Sequence, residues 1–238
     1  MVARRVVPCR SVSRGAEITV LAGVNGAGKS SIGGAYLREH GGDWFNPDEV
    51  ARIAMEASPG LGQREANAFA WQEGKRRLMA AIADGSAFTF ETTLGGETIT
   101  RLLIEAANHG AIVRVWFAGL ESVELHLQRV AGRVKKGGHD IPGSDIRQRW
   151  IGSQANLIRL IPHITDLRVY DNSVERDPAT GAAPELRLVL GVEEKRLTFP
   201  PAERLAATPQ WAKPIVFAAY RHFGLAPDPA SSTPQVSM

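Results

Sequence analysis

Residues 23–30 read GVNGAGKS and fit the pattern G-x-x-x-x-G-K-[ST], with an apolar run before them and a helix-like segment after them. Glycines at these positions let backbone N–H groups close around a chain of phosphates, and the N-terminus of the following helix adds partial positive charge. A glycine-rich turn that only joined a strand to a helix would need neither the lysine nor the hydroxyl. The stretch therefore predicts a phosphate-binding loop, or P-loop.

Each position of the P-loop has a separate chemical task. Lys29 is expected to reach the β and γ phosphates of a nucleotide, and the hydroxyl of Ser30 is expected to ligate Mg²⁺. The predicted cofactors are therefore ATP and Mg²⁺. The residues predicted to contact the nucleotide in and beside this loop are Gly23, Asn25, Gly26, Ala27, Gly28, Lys29, Ser30 and Ser31.

Outside the loop, short β-rich apolar runs alternate with longer helix-like segments, a pattern typical of a parallel sheet covered by crossover helices. We predict a three-layer α/β fold with about five mainly parallel strands, helices on both faces and a C-terminal hairpin appendage. The predicted strands are 17–22, 43–46, 87–91, 111–118 and 166–170, and the hairpin strands are 185–190 and 194–199. The predicted helices are 29–40, 47–57, 64–84, 98–109, 122–136, 144–160 and 211–222.

Composition limits the class of protein. The chain is 44% hydrophobic and 22% charged, and no apolar run approaches the ~20 residues that cross a bilayer, so no membrane role is expected. One cysteine, Cys9, cannot form an intramolecular disulfide, which favours a cytoplasmic location. A net charge of +3, with acids interspersed among the bases, makes nucleic acid an unlikely partner.

The two ends of the chain differ from its middle. The first residues carry four arginines and no acid, and the last are rich in Pro, Ser and Ala. Both compositions are typical of disordered segments. We predict a basic arm at 1–16, one P-loop domain at 17–224 and a disordered tail at 225–238.

Polar side chains stand where the predicted strands end, the edge at which open α/β sheets bind ligands. The residues predicted there to bind a second substrate are Asn46, Asp48, Glu91, Thr92 and Thr93. Asn46 could cap a helix in which Asp48 is a first-turn acid. The spacing of these residues favours this structural interpretation and a catalytic role for Asp48 equally. A carboxylate at Glu91, at the end of a buried run, is costly without a partner or ligand, which favours function.

Basic residues on two later helices supply candidate partners for phosphate charge. Arg129 and Arg133 are four residues apart and share one helix face, and the flexible run 135–139 that follows suits a basic lid. Arg147 and Arg149 point to different faces, so only one of them is expected to face the site. We assign Arg129 and Arg133 to the nucleotide and leave the second pair open.

Five segments together resemble the zeta-toxin family of P-loop kinases, specifically its compact branch described as predicted ABC-type ATPases. They are GVNGAGKS at 23–30, FNPDEVAR at 45–52, FTFETTLGG at 88–96, RVAGRVKKGGHDIP at 129–142 and RVYDNS at 168–173. The resemblance implies a kinase-like fold in which ATP donates its γ-phosphate to a sugar-nucleotide hydroxyl, UDP-N-acetylglucosamine in the better-known zeta toxins. It also raises an antitoxin protein as a candidate partner.

The same resemblance implies a role for individual residues. Asp48 matches the family acid that serves as general base, and Glu91 matches the acid that holds the acceptor, with Thr92 and Thr93 beside it. Asp48, Lys29 and Arg133 are the predicted catalytic residues. The spacing of the two ATP-directed arginines in longer zeta toxins does not fit residues 129–149, so the resemblance does not choose between Arg147 and Arg149.

Three other hypotheses stay open. One is an antibiotic or metabolite phosphotransferase, which would use the same base. Another is a nucleotide-dependent switch that orders a lid for a protein partner, although the chain has neither an N-K-x-D motif nor a clear Walker B acid pair. The third, nucleic-acid binding through the basic segments, would show a steep dependence on salt.

Overall fold

One mixed sheet of six strands organises the part of the chain that this computed structural model describes, namely residues 15–29, 33, 44–174 and 186–224. The strands lie in the order β2-β1-β3-β4-β5-β6. The first four along the chain are parallel and the last two are antiparallel. They are β1 Glu17–Ala22, β2 Ala87–Thr92, β3 Ile112–Gly119, β4 Asp166–Asp171, β5 Arg187–Glu193 and β6 Arg196–Phe199.

The strand that leads into the P-loop lies between two parallel neighbours. β1 pairs with β2 on one side and β3 on the other, and its residues from Ile18 to Ala22 are buried. A continuous apolar run of this kind is typical of a parallel strand covered on both faces. The P-loop therefore begins at the carboxyl edge of the sheet, where the ends of β2 and β3 also lie.

Helices cover both faces of the sheet, which confirms the predicted α/β class. The six described α-helices are α1 Pro47–Ala57, α2 Gln63–Asp84, α3 Glu97–Asn108, α4 Val123–Val134, α5 Gly143–Leu160 and α6 Lys213–Phe223. Short 3₁₀ turns occupy Ile161–His163, Ala202–Ala207 and Gln210–Ala212. Most of these boundaries fall within one or two residues of the predicted ones, because caps and glycines mark them in the sequence.

The prediction of a strand at 43–46 is wrong, because its described residues, 44–46, do not form a strand. Phe45 alone forms a parallel bridge with Phe90; its N–H donates to Thr89 O at 2.9 Å, and its carbonyl accepts from Glu91 N at 2.9 Å. Asn46 then caps α1 by accepting from the N–H of Asp48 at 3.0 Å. The helix start therefore ends the extended segment after one ladder position.

The predicted C-terminal hairpin forms, and it continues the main sheet. β5 pairs antiparallel with β4, and β6 forms the edge. The chain then returns to the core at Trp211, which is buried against Phe117 with ring centroids 6.4 Å apart. A Cβ added at Gly119 would lie 2.1 Å from the Trp211 ring, so only glycine permits this packing.

Some sequence predictions fall outside the described residues. The helix predicted at 29–40 is described only at Lys29 and Gly33, both of which are helical. The arm is described only at Gly15 and Ala16, and the tail at 225–238 is not described. Within the described ranges, every helix is too short or too polar to cross a bilayer.

Candidate active site

A cavity of about 390 Å³ opens at the carboxyl edge of the sheet, beside the P-loop. Its walls come from the P-loop, the start of α1, the end of β2, one face of α2 and the segment that leads into α5. The predicted site residues that line it are Asn25, Lys29, Asn46, Asp48, Glu91, Thr92 and Thr93. The structure thus brings the phosphate-binding and substrate-binding predictions to one cavity.

The P-loop has the backbone conformation that its glycines predict. Gly23, Gly26 and Gly28 all have positive φ, at 146°, 82° and 88°. At Gly26 a Cβ would also lie 3.0 Å from the carbonyl oxygen of His126, so the loop packs closely on α4. The side-chain amide of Asn172, in the RVYDNS segment, donates to the carbonyl of Ala27 at 2.9 Å and holds the loop from β4.

Asn25 is fixed from two directions and is 7% exposed. His126 Nδ1 donates to its backbone carbonyl at 2.8 Å, and Arg149 Nη1 donates to its side-chain oxygen at 2.9 Å. His126 is 1% exposed. Burial lowers the pKa of His126 to about 4, helped by the charges of Lys29 and Arg129 and opposed by the hydrogen bond to Asn25.

We expect this buried histidine to make stability depend on pH between about 6.5 and about 4. Its pKa is lowered in the fold, so the unfolded chain binds the proton first, and stability present above pH 6.5 is lost as the pH falls. A shift of this size amounts to about 3 kcal/mol for one group. Denaturant unfolding should therefore show that the stability advantage of the native protein over His126→Asn shrinks by that amount from pH 7 to pH 4. Parallel pH profiles for the two proteins would contradict a neutral buried histidine.

Lys29 interacts electrostatically with four charged side chains. Burial lowers the pKa of Lys29, Glu91 and Asp48 raise it, and the nearby cations Arg133 and Arg149 lower it further. Three cations are therefore close together, and both arginines repel the charge of Lys29. A bound polyphosphate would relieve this repulsion, because its negative charge would pair with all three.

The two acids differ in their surroundings. Glu91 is 7% exposed and accepts a hydrogen bond from Trp44 Nε1 at 3.0 Å. Burial raises the pKa of Glu91, the charge of Lys29 and the Trp44 hydrogen bond lower it, and Asp48 raises it. Asp48 is half exposed, in the first turn of α1, and pairs with Arg133 at 3.7 Å. Asp48 is therefore both the predicted first-turn acid and a cavity-lining carboxylate.

The structure separates the arginines that the sequence left open. Arg147 points outward and pairs with Glu124 at 2.9 Å, whereas Arg149 faces the P-loop. Arg133 lies close enough to Lys29 to lower its pKa, and within the described part of the chain its Nε and Nη2 are buried without a hydrogen-bond acceptor. Arg129 packs its stem near Gly26 and donates to the carbonyl of Val174 at 3.3 Å, and its assignment to the nucleotide stays a prediction.

The wall opposite the P-loop comes from α2. Asn67, Trp71 and Lys75 line the cavity at intervals of four residues, with Lys75 Nζ 5.6 Å from the centre of the Trp71 ring. None of these three residues was predicted from the sequence. Their spacing on one helix face was the available signal, but a polar and aromatic stripe on a helix surface does not by itself indicate a site.

The predicted magnesium ligand Ser30 and its neighbour Ser31 both lie outside the described residues. Among the described residues, no group of three or more His, Cys, Asp or Glu side chains is placed to hold a metal ion. The adjacent Lys29 and the open P-loop fit a nucleotide whose phosphates would supply most of the ligands of such an ion.

No family model matches the chain. A protein of Haemophilus influenzae described as uncharacterized is 32% identical over 134 residues, which are 54% of this chain and 88% of that protein. The chain therefore belongs to the same family as this protein. A shikimate kinase of Paramagnetospirillum magneticum is 28% identical over 183 residues, 71% of this chain and 90% of that enzyme.

Solved structures agree with this fold. A chain of the AvrRxo1-ORF1:-ORF2 complex, crystallised with ATP, matches with a TM-score of 0.59 and 17% identity over 82% of this chain. This chain spans 64% of that longer one. A chain of the PezAT toxin–antitoxin system of Streptococcus pneumoniae matches with a TM-score of 0.51 and 16% identity, over 69% of this chain and 71% of its own. The protein has the zeta-toxin-like P-loop kinase fold. The resemblance read from the motifs is confirmed at this level.

Within the zeta-toxin-like kinase fold of this chain, the segment after α4 forms a third wall of the cavity. His139, Asp140 and Ile141 line it, and Gly138 donates its N–H to the carbonyl of Arg133 at 3.1 Å. Of the residues predicted to form a basic lid, His139 lines the cavity. Lys135 and Lys136 are exposed and are not among the residues that line it.

Proposed function

We propose that this protein is an ATP- and Mg²⁺-dependent phosphotransferase that moves the γ-phosphoryl group of ATP to a hydroxyl of a small molecule. One observation carries the proposal: Lys29, Arg133 and Arg149 converge on a P-loop, while Asp48 and Glu91 line the same cavity. Phosphoryl transfer needs little covalent help from the protein and depends on positioning and electrostatic stabilisation. This arrangement of cations and carboxylates supplies both.

In the proposed reaction, the acceptor hydroxyl gives its proton to a carboxylate oxygen of Asp48 as its oxygen forms a bond to the γ-phosphorus. The bond from that phosphorus to the β–γ bridging oxygen breaks, and ADP leaves. Lys29, Arg133 and Arg149 balance the negative charge that spreads over the transferred group. When ATP is bound, Mg²⁺ would neutralise charge on its phosphates, with Ser30 as the ligand proposed from the sequence.

The acceptor side of the cavity supports a polar acceptor of metabolite size. Thr92, Thr93 and Glu91 end or follow β2 at the floor, and Asn46 stands at the start of α1. We propose that these residues hold the acceptor, and that Gly23, Asn25, Gly26, Ala27 and Gly28 hold the nucleotide. A nucleotide sugar such as UDP-N-acetylglucosamine is the first acceptor to test, on the strength of the family resemblance.

Two parts of the proposal concern the cell. The match to a chain of a toxin–antitoxin system supports the hypothesis of a toxin restrained by an antitoxin protein. A cytoplasmic location, where ATP and metabolites are abundant, fits the proposed reaction. Expression of the protein with and without Asp48→Asn, followed by counting viable cells, would separate toxicity due to catalysis from toxicity due to expression.

The experiment that tests the function is incubation with ATP, Mg²⁺ and a panel of nucleotide sugars, nucleosides and metabolite phosphotransferase substrates. A product heavier than its substrate by ~80 Da, the mass of one transferred phosphoryl group, is expected by mass spectrometry. Consumption of ATP with release of inorganic phosphate alone, across the whole panel and a cell extract, would instead support a nucleotide-dependent switch.

Arg133→Ala and Arg149→Ala should each lower turnover by roughly 10- to 100-fold while ATP affinity changes less, because each removes charge stabilisation that matters most in the transition state. Arg147→Ala is the matched control and should leave turnover unchanged, since Arg147 pairs with Glu124 outside the cavity. Steady-state rates and ATP titration calorimetry on the three variants give the comparison. Equal loss in all three would mean a general effect of charge.

A further inference from the structure

The last residue of β2 and the loop that follows it, residues 92–96, are here called the acceptor loop, which packs backbone to backbone against α5. A Cβ at Gly152 of α5 would lie 2.6 Å from the carbonyl oxygen of Gly95. A Cβ at Gly95 would in turn lie 2.9 Å from Cγ and 3.2 Å from Cα of Arg149. Two glycines thus permit a contact that side chains would prevent, and the stem of Arg149 rests directly on the acceptor loop.

A buried amide holds this contact closed. Asn156, one helical turn beyond Gly152, is 5% exposed, and its Nδ2 donates to the carbonyls of Leu94 at 2.9 Å and Gly96 at 3.2 Å. Leu94 itself is buried and has a φ of +54°, an unfavourable value for a leucine. Thr92 Oγ1 accepts from its N–H at 3.1 Å. The loop is therefore held in a strained shape by hydrogen bonds from α5 and from within.

The far end of this arrangement is the P-loop. Arg149, whose stem packs on Gly95, donates from Nη1 to the side-chain oxygen of Asn25 at 2.9 Å. Its Nη2 lies 3.5 Å from Oδ2 of Asp145. It is also close enough to Lys29 to lower that residue's pKa. One chain of contacts therefore runs from Asn156 through the acceptor loop to the guanidinium group above the phosphate-binding loop.

We infer that Asn156 and the Gly95–Gly152 contact position Arg149: they lock the acceptor loop to α5 and so fix that guanidinium group at the P-loop. The inference rests on the proposed function for its catalytic consequence. None of the three residues needs to touch a substrate to act in this way. Displacing a charge-balancing group by about 1 Å can cost up to about 10²-fold in rate. Loss of the Asn156 hydrogen bonds is therefore expected to slow the reaction through the displacement of Arg149.

Two variants break the contact independently. Gly95→Ala pushes on the stem of Arg149 and leaves the Asn156 hydrogen bonds in place, whereas Asn156→Leu removes both hydrogen bonds at similar volume. Gly132→Ala is the matched control, because it adds the same methyl group at an exposed helical glycine where nothing lies within 4 Å. At least one of the first two variants is expected to fold, since Gly95→Ala creates no buried unpaired group.

The ligand-free crystal structures of the variants give the first readout, which does not depend on any activity. We expect the hydrogen bond between Arg149 and Asn25 to be lost in Gly95→Ala and Asn156→Leu and kept in Gly132→Ala. Arg149 remaining at its present distance from Asn25 in both variants would overturn the inference, whatever the protein catalyses.

Binding of Mg·ADP with aluminium fluoride, a mimic of the transferring phosphoryl group, gives the second readout. Calorimetry should show it weakened about 10- to 100-fold in both variants, with Mg·ADP alone within about twofold. In an Arg149→Ala background the same changes should have almost no further effect, because they act through Arg149. Additive losses, or unchanged binding despite a displaced Arg149, would refute the positioning role. Equal binding of the two probes to the native protein would refute the proposed function instead.

Discussion

Asp48→Asn should reduce phosphoryl transfer by ~10²–10⁴-fold and leave ATP binding in place, because an amide cannot accept the acceptor's proton. The structure gives Asp48 two roles, since it is both a first-turn acid of α1 and a carboxylate that lines the cavity. As a first-turn acid alone, its loss would cost only about 0.3–1 kcal/mol of stability through the helix dipole. The two roles therefore differ greatly in the size of their effect on turnover.

The measurement for Asp48 is product formation at saturating ATP and acceptor, beside a thermal melt of each protein. Glu49→Gln is the matched control, because Glu49 is also a first-turn acid of α1 and is absent from the cavity lining. Both variants should melt slightly earlier, and only Asp48→Asn should lose turnover. Normal turnover in Asp48→Asn would remove this residue from the mechanism.

Lys29→Met should lower turnover by about 10³-fold. Losses of this size are typical when a group that stabilises charge in a transition state is removed. Methionine keeps the length and packing of the buried stem and removes the charge. The charge matters here because it interacts with the charges of Glu91, Asp48, Arg133 and Arg149. Removing it also takes away a cation that lowers the pKa of Glu91, whereas Asp48 keeps its ion pair with Arg133.

Circular dichroism and a thermal melt are the controls for Lys29→Met, since a change of fold would also abolish turnover. Because the replacement takes a cation away from the buried Glu91, some loss of stability is expected, and turnover is compared at a temperature at which both proteins are folded. Turnover within a few fold of the native rate, in a folded variant, would contradict the assignment of residues 23–30 as the phosphate-binding loop.

The sequence predicted the parallel part of the fold well because its signals are local. The apolar run of β1, the glycines of the P-loop and the Asn46 cap of α1 each act within a few residues. The prediction of a strand at 43–46 was wrong because β propensity does not reveal how far a segment pairs. Phe45 pairs with Phe90 at a single position before α1 begins.

The sequence also placed the main site residues in one cavity, because strand ends of a parallel sheet meet at one edge. It could not choose Arg149 over Arg147, since that choice depends on how α5 packs against the acceptor loop through Gly95 and Gly152. His126 and Asn156 were missed for the same reason. Each is a polar residue inside an otherwise ordinary helix, and its partner is distant along the chain.

The most direct test of a phosphotransferase is the fate of the γ-phosphoryl group itself. ATP carrying ¹⁸O in its γ-phosphoryl oxygens is incubated with Mg²⁺, the native protein and a metabolite extract, and the label is followed by mass spectrometry. The label is expected on a small-molecule hydroxyl, its transfer is expected to exceed release to water, and Asp48→Asn is expected to reduce that transfer by ~10²–10⁴-fold. Label found only in inorganic phosphate, at the same rate in native protein and variant, would contradict the proposed function.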